Sequence, residues 1–162
     1  RIMIVDRSTE NRELLRRTIE PAGYDVYLVP AGEVALIIAR KVKPDLILLG
    51  VNQQGGMDGF EVCEGLKRDS ETREIPVILL TELDRYHNRK LIFQSGAVDY
   101  IEMPFSRDEV LARIGTHVTL VQAKRELRST PHSAHRMESL NQEEIQPPDA
   151  QGDQKPSAIA VN

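Results

Sequence analysis

The sequence predicts an α/β fold: a doubly wound five-stranded parallel sheet with five helices, followed by a disordered C-terminal tail. Two observations carry this expectation. Short runs such as Ile2–Val5 and Leu46–Leu49 are apolar throughout, as strands covered on both faces are. Segments of helical spacing alternate with those runs across short turns, and that alternation fits a single sheet with helices on both sides.

Each element has a local reason. "IMIV" (2–5) is the first strand. Ser8 can cap the helix that follows, with Leu14, Leu15, Thr18 and Ile19 as its inward stripe and Pro21-Ala22-Gly23 as its stop. "YDVYLV" (24–29) is the second strand. Val34, Ala35, Ile38 and Val42 keep helical spacing until Lys43-Pro44. "DLILL" is the third strand, and Asp58 can cap a helix that turns Val62, Cys63 and Leu66 inward. "IPVILL" (75–80) is the fourth strand, before a polar helix over roughly 84–95 that Gly96 ends. "VDYI" (98–101) is the fifth. Ser106 and Glu109 form a capping box for the last helix, whose expected inward face is Leu111, Ile114, Val118 and Val121. Ligands in such folds bind beyond the carboxyl ends of the strands, here Asp6-Arg7, Pro30, Gly50, Thr81-Glu82 and Glu102-Met103.

Composition narrows the classes. The chain carries 21 Lys+Arg against 25 Asp+Glu, a net charge of −4, which gives no argument for nucleic acid or an anionic membrane. The single cysteine, Cys63, excludes an intramolecular disulfide. No apolar run has the length of a membrane span and no signal peptide is visible, so a cytoplasmic location is expected. The chain opens on a strand without an initiator methionine, so native residues are expected upstream. All the aromatics fall before residue 106, whereas the chain from Ser129 is polar, has four prolines and cannot bury enough apolar area to offset its ordering entropy. The expected organisation is a folded domain over 1–121, a helical extension over 122–128 ("LVQAKRELRS" is helix-forming, with Leu120 and Leu127 seven apart) and a disordered tail or linker over 129–162.

"IMIVD" followed by Asn11, with "AGYDV", "PDLILL", "MDGFEVCEGLK", "IPVILLT" and "GAVDYIEMPF", resembles the receiver domain of bacterial two-component response regulators over residues 1 to about 121. The resemblance implies a flavodoxin-like fold and a phosphorelay role. It also implies phosphoryl transfer to an aspartate at the end of the third strand. Acidic residues after the first strand would hold Mg²⁺, and a Thr or Ser and a Lys would bond the phosphoryl oxygens.

Position by position, that machinery is depleted. The phosphoacceptor position is Gly50, which has no side chain, so no phosphoacceptor is expected. Of the acidic pair Asp6 remains beside Arg7, whose permanent charge repels Mg²⁺, so neither a metal nor a cofactor is expected. The lysine position is Met103. Thr81 survives. The "NQQGG" loop lacks the usual proline and is one residue longer than typical. Three separated losses, each removing a different part of one mechanism, predict a pseudoreceiver that catalyses nothing and acts through protein contacts. The vestigial pocket is Asp6, Arg7, Gly50, Thr81 and Met103, with an Asp6–Arg7 pair expected to fill the cation site.

The face implied for a signalling partner or self-association is the fourth helix, fifth strand and fifth helix, with Tyr86, His87, Arg89 and Tyr100 as contacts. No nucleic-acid or membrane contact is expected of this domain. Two other readings stand beside this one: phosphotransfer to an unusual carboxylate, and a vacated pocket that senses a small anion. Against the first, Asp45 falls on the opposite face at the wrong end of the sheet, Asp58 is expected as a helix cap, and Glu82 and Glu102 as solvated rim charges. His87, His117, His132 and His135 share no ligand spacing and are expected at the surface, with Cys63 structural.

Overall fold

The computed structural model describes residues 1–52, 55–82 and 89–129. The elements are β1 (Ile2–Val5), α1 (Thr9–Ile19) with a 3₁₀ turn at Glu20–Ala22, β2 (Val26–Val29), α2 (Gly32–Val42), β3 (Leu46–Gly50), α3 (Gly59–Arg68), β4 (Val77–Thr81), α4 (Arg89–Gln94), β5 (Asp99–Glu102) and α5 (Arg107–Ser129). All five strands pair in parallel, in the order β2-β1-β3-β4-β5. This is the doubly wound sheet expected from the strand–helix alternation, in the flavodoxin-like form that the receiver resemblance implies. Arg1–Arg125 form one unit, which holds the sheet; Glu126–Asn162 form a second, of which only the helical residues Glu126–Ser129 are described.

The alternation of side chains along each strand divides the apolar runs between two cores. Ile2, Ile4, Leu46, Leu48, Ile78 and Leu80 pack with Leu15 and Ile19 of α1 and Val110, Ile114 and Val118 of α5. Met3, Val5, Ile47, Leu49, Val77 and Leu79 pack with Ala35 and Ala39 of α2, Val62, Cys63 and Leu66 of α3, and Ile92 of α4. Both faces of β1, β3 and β4 are therefore covered, which is why those runs show no polar alternation. β2, at the sheet edge, is half-buried and shorter than its sequence run: Tyr24 and Asp25 precede it.

The caps act largely as the sequence suggests. Ser8 accepts the Asn11 amide at 3.2 Å, and Asp58 forms a reciprocal capping box with Glu61. Ser106 accepts the Glu109 amide at 3.2 Å, but the Glu109 carboxylate turns to Arg113, so the box is only half made.

The inward faces need three corrections. Leu14 is 54% exposed and Val34 40% exposed, because α1 turns Leu15 and Ile19, and α2 turns Ala35 and Ala39, onto the sheet. On α5 the buried residue of the first turn is Val110, while Leu111 lies beside the buried stripe and is half-buried. Of the expected fourth helix (84–95), 84–88 lie outside the described residues, as does the expected tail (129–162) beyond its first residue. α5 includes Ser129. No helix among the described residues is long and apolar enough to cross a membrane.

Candidate functional site

A cleft of about 380 Å³ opens beyond the carboxyl ends of the strands, with Asp6, Arg7, Gly50, Glu82 and Met103 among its lining residues. The parallel register brings them there. Val5 pairs with Leu49, so the residues next along the chain, Asp6 and Gly50, are neighbours. Met103 is held beside β4 by its amide, which donates to the Thr81 carbonyl at 2.8 Å. Thr81 itself is buried at the end of β4, between Leu80 and Glu82, both of which line the cleft. Four of the five residues expected in the pocket line it, and the fifth is adjacent.

Asp6 is 7% exposed. Its Oδ1 accepts the Ser8 amide at 2.7 Å and its Oδ2 the Asn11 side chain at 3.4 Å. Arg12 fastens the same turn from α1, donating to the carbonyls of Asp6 at 2.5 Å and Arg7 at 3.0 Å. The carboxylate leans towards β3: a Cβ added at Gly50 would stand 2.7 Å from Asp6 Oδ2 and 3.2 Å from its Cγ.

The expected Asp6–Arg7 pair is not formed. Arg7 turns away to Glu33 at the start of α2, 3.9 Å from its carboxylate. Glu33 Oε1 in turn accepts the Met57 amide at 2.8 Å. That hydrogen bond is the main reason the Glu33 carboxyl sits below the usual range, and the Arg7 charge lowers it further. Sequence reasoning missed Glu33, since nothing local joins it to a residue 24 positions on.

A divalent cation is bound by several oxygens, usually with at least one or two carboxylates. Here the end of β3 supplies no side chain, the residue after Asp6 is a cation, and Met103 is apolar. Among the described residues no three His, Cys, Asp or Glu side chains converge. The residues present do not fit a magnesium site.

Of the expected partner-face residues, Arg89 is exposed at the start of α4, and Tyr100 is half-buried against the core on the α2–α4 side. Tyr86 and His87 lie outside the described residues, as do His132 and His135. His117 is not a plain surface residue: its Nε2 lies 3.1 Å from Asp99, which also accepts Arg113 at 2.8 Å. Asp45 lies before β3, at the end of the sheet away from the cleft, where Arg125 binds it at 2.5 Å. Asp58 is the cap of α3. Cys63 is buried, and burial raises its thiol pKa.

A five-stranded parallel α/β sheet in this order, with its cleft beyond β1 and β3, is the flavodoxin-like arrangement. The family model described as the response regulator receiver domain matches residues 2–115. The chain belongs to that family, and is a receiver domain of two-component signalling. It is 37% identical over 142 residues to RpaA of Synechocystis, a DNA-binding dual master transcriptional regulator, which covers 88% of this chain and 56% of RpaA. It is 38% identical over 137 residues to the response regulator PleD of Caulobacter vibrioides, covering 85% of this chain and 30% of PleD. The chain thus spans about half of one relative and under a third of the other. Among solved structures, it is similar to the receiver domain of a sensor histidine kinase from Pseudomonas aeruginosa that has a magnesium ion coordinated in its active-site cleft. That match has a TM-score of 0.68 and 25% identity, and covers 73% of this chain and 96% of the other.

Proposed function

We propose that this receiver domain is a pseudoreceiver: it takes no phosphoryl group and signals through protein contacts. One observation carries the reading. The volume that a side chain at position 50 would enter is approached by the Asp6 carboxylate, 2.7 Å from the site of a Cβ. Position 50 is therefore more than an acceptor replaced by glycine, because its acidic neighbour has settled against it. Arg7, which stands at a position of the acidic pair in the resemblance, lies 3.9 Å from the Glu33 carboxylate, and Met103 offers no charge to an oxyanion. A nucleophile, a metal shell and a cationic clamp are three separate requirements of the chemistry, and each is wanting.

Contacts are assigned to the face of α4, β5 and α5. Arg89 and Tyr100 lie there, and Leu91, Phe93 and Val98 add apolar surface, Phe93 being 72% exposed. Arginine and aromatic anchors are the types that most often dominate interface energies. DNA binding is a property named for RpaA, and this chain matches little more than half of it. The receiver part, with a net charge of −4 over the whole chain, is assigned no nucleic-acid contact.

The test is incubation of the wild-type chain with acetyl phosphate and Mg²⁺, followed by intact-mass measurement. No added phosphoryl group is expected. Near-stoichiometric label, mapped to Glu82 or any other carboxylate, would give the domain back to the phosphorelay as an acceptor.

A further inference from the structure

We infer that Arg7 is a built-in cation that fastens the end of the β3–α3 loop to α2, so that this segment holds its position without any divalent ion. The inference rests on the reading that position 7 no longer serves a metal. Two contacts meet at one carboxylate. The Arg7 guanidinium lies 3.9 Å from the Glu33 carboxylate. The other oxygen of that carboxylate accepts the Met57 amide at 2.8 Å. The backbone between them is Gly55-Gly56, and a Cβ at Gly56 would collide with both Arg7 Nη2 and Glu33 Oε1. Glycine at 56 is what lets the main chain pass so close to the pair. Gly55, at φ +80°, supplies the left-handed turn that brings it there.

The physical role follows from charge. The ionised Glu33 carboxylate makes the strong, charge-assisted kind of hydrogen bond to the Met57 amide. The guanidinium beside its other oxygen attracts the same carboxylate and so holds it in place. Arg7 starts at the end of β1, which Arg12 pins through the carbonyls of residues 6 and 7. The clip therefore joins three elements: the end of β1, the first turn of α2, and the segment leading into the Asp58 cap of α3. In a metal-dependent receiver an external cation would neutralise acidic groups at this corner. Here a side chain of the chain itself does so.

The experiment is amide hydrogen exchange of the full chain, with core amides of β1 and β3 as internal reference. Met57 of the wild type should exchange at one rate with Mg²⁺ or with a chelator. Arg7→Met, similar in bulk but uncharged, should speed Met57 exchange several-fold, about the size expected for a partly exposed charge pair. Arg7→Lys should stay within about twofold of wild type, because it keeps the charge. Glu33→Ala tests the same contact from α2 and should speed exchange at least as much as Arg7→Met. Unchanged Met57 exchange in Arg7→Met and Glu33→Ala, with reference amides intact, would overturn the clip, as would a wild-type rate that slows on adding Mg²⁺. Phosphoryl label on the wild type would instead strike at the pseudoreceiver reading, so the two failures are distinct.

Discussion

Gly50 shows how one residue type can be settled by its neighbour's side chain. Its backbone is ordinary strand, so alanine would fit there sterically but for Asp6 Oδ2, 2.7 Å from the added Cβ. Asp6 must then swing off the Ser8 amide that holds it. Gly50→Ala should therefore cost about 1 kcal/mol, as mild overpacking does. With Asp6→Ala already present, the same change should become neutral or slightly stabilising, since alanine restricts the unfolded chain. Urea unfolding of the two single variants and the double variant should give a coupling of about 1 kcal/mol. Purely additive costs would mean that Asp6 is not what forbids the side chain. A carboxylate placed at 50 would meet the same obstacle with a like charge added.

At the scale of elements, β5 and α5 are joined by Asp99, which takes Arg113 at 2.8 Å and His117 at 3.1 Å. Burial alone would raise the Asp99 carboxyl, but the hydrogen bonds from His117 and Arg113 outweigh it and hold the group below its ordinary range. A folded-state value below the unfolded one means stabilisation that is present above the unfolded pKa and lost as pH falls through the folded one. Asp99→Asn should thus cost about 1–2 kcal/mol at neutral pH, the value of a hydrogen bond to a charged group reduced for partial exposure. The difference from wild type should shrink as pH falls through and below the usual aspartate range. Denaturant titrations at neutral and acid pH check this, and a constant difference would remove the carboxylate's charge from the explanation.

For the whole molecule, the working question is which surface carries signal. The cleft end has Gly50 and Thr81; the α4–β5–α5 face has Arg89, Tyr100 and the exposed Phe93. In the reading proposed above, a cleft that takes no phosphoryl group has nothing with which to shift the population of the α4–β5–α5 face, which then holds one conformation. Self-association measured by sedimentation equilibrium should weaken about fivefold or more in Arg89→Ala and Tyr100→Ala, a loss on the scale of a significant interface residue. Thr81→Ala and Gly50→Ala should leave it nearly unchanged. Equal losses from both pairs would move the working surface to the strand ends.

The class of fold was legible because it depends on local pattern: wholly apolar four- and five-residue runs, too short for helices and bounded by turn residues, fit strands covered on both sides, and the stops at Pro21-Ala22-Gly23 and Lys43-Pro44 are backbone chemistry. The caps at Ser8 and Asp58 were legible for the same reason. The positions of Gly50, Arg7 and Met103 along the strand ends were readable as well, since a parallel register delivers such residues to one cleft. What Arg7 does there was not. An acid and a base adjacent in sequence suggest a pair, but consecutive side chains point apart, and the Asp6 carboxylate was already engaged by Ser8 and Asn11. Arg7 found Glu33, 26 positions on, and Met57 came to the same carboxylate across another turn. Likewise His117 read as a surface residue until α5 was laid against β5 and met Asp99. Periodicity tells which face of a helix is apolar only to within a residue, so Leu14 fell outside the buried stripe and Val110 took the place expected of Leu111 when the helices docked. Local conformation is written in neighbouring residues, whereas the choice among charged partners is made by a packing that brings distant ones together.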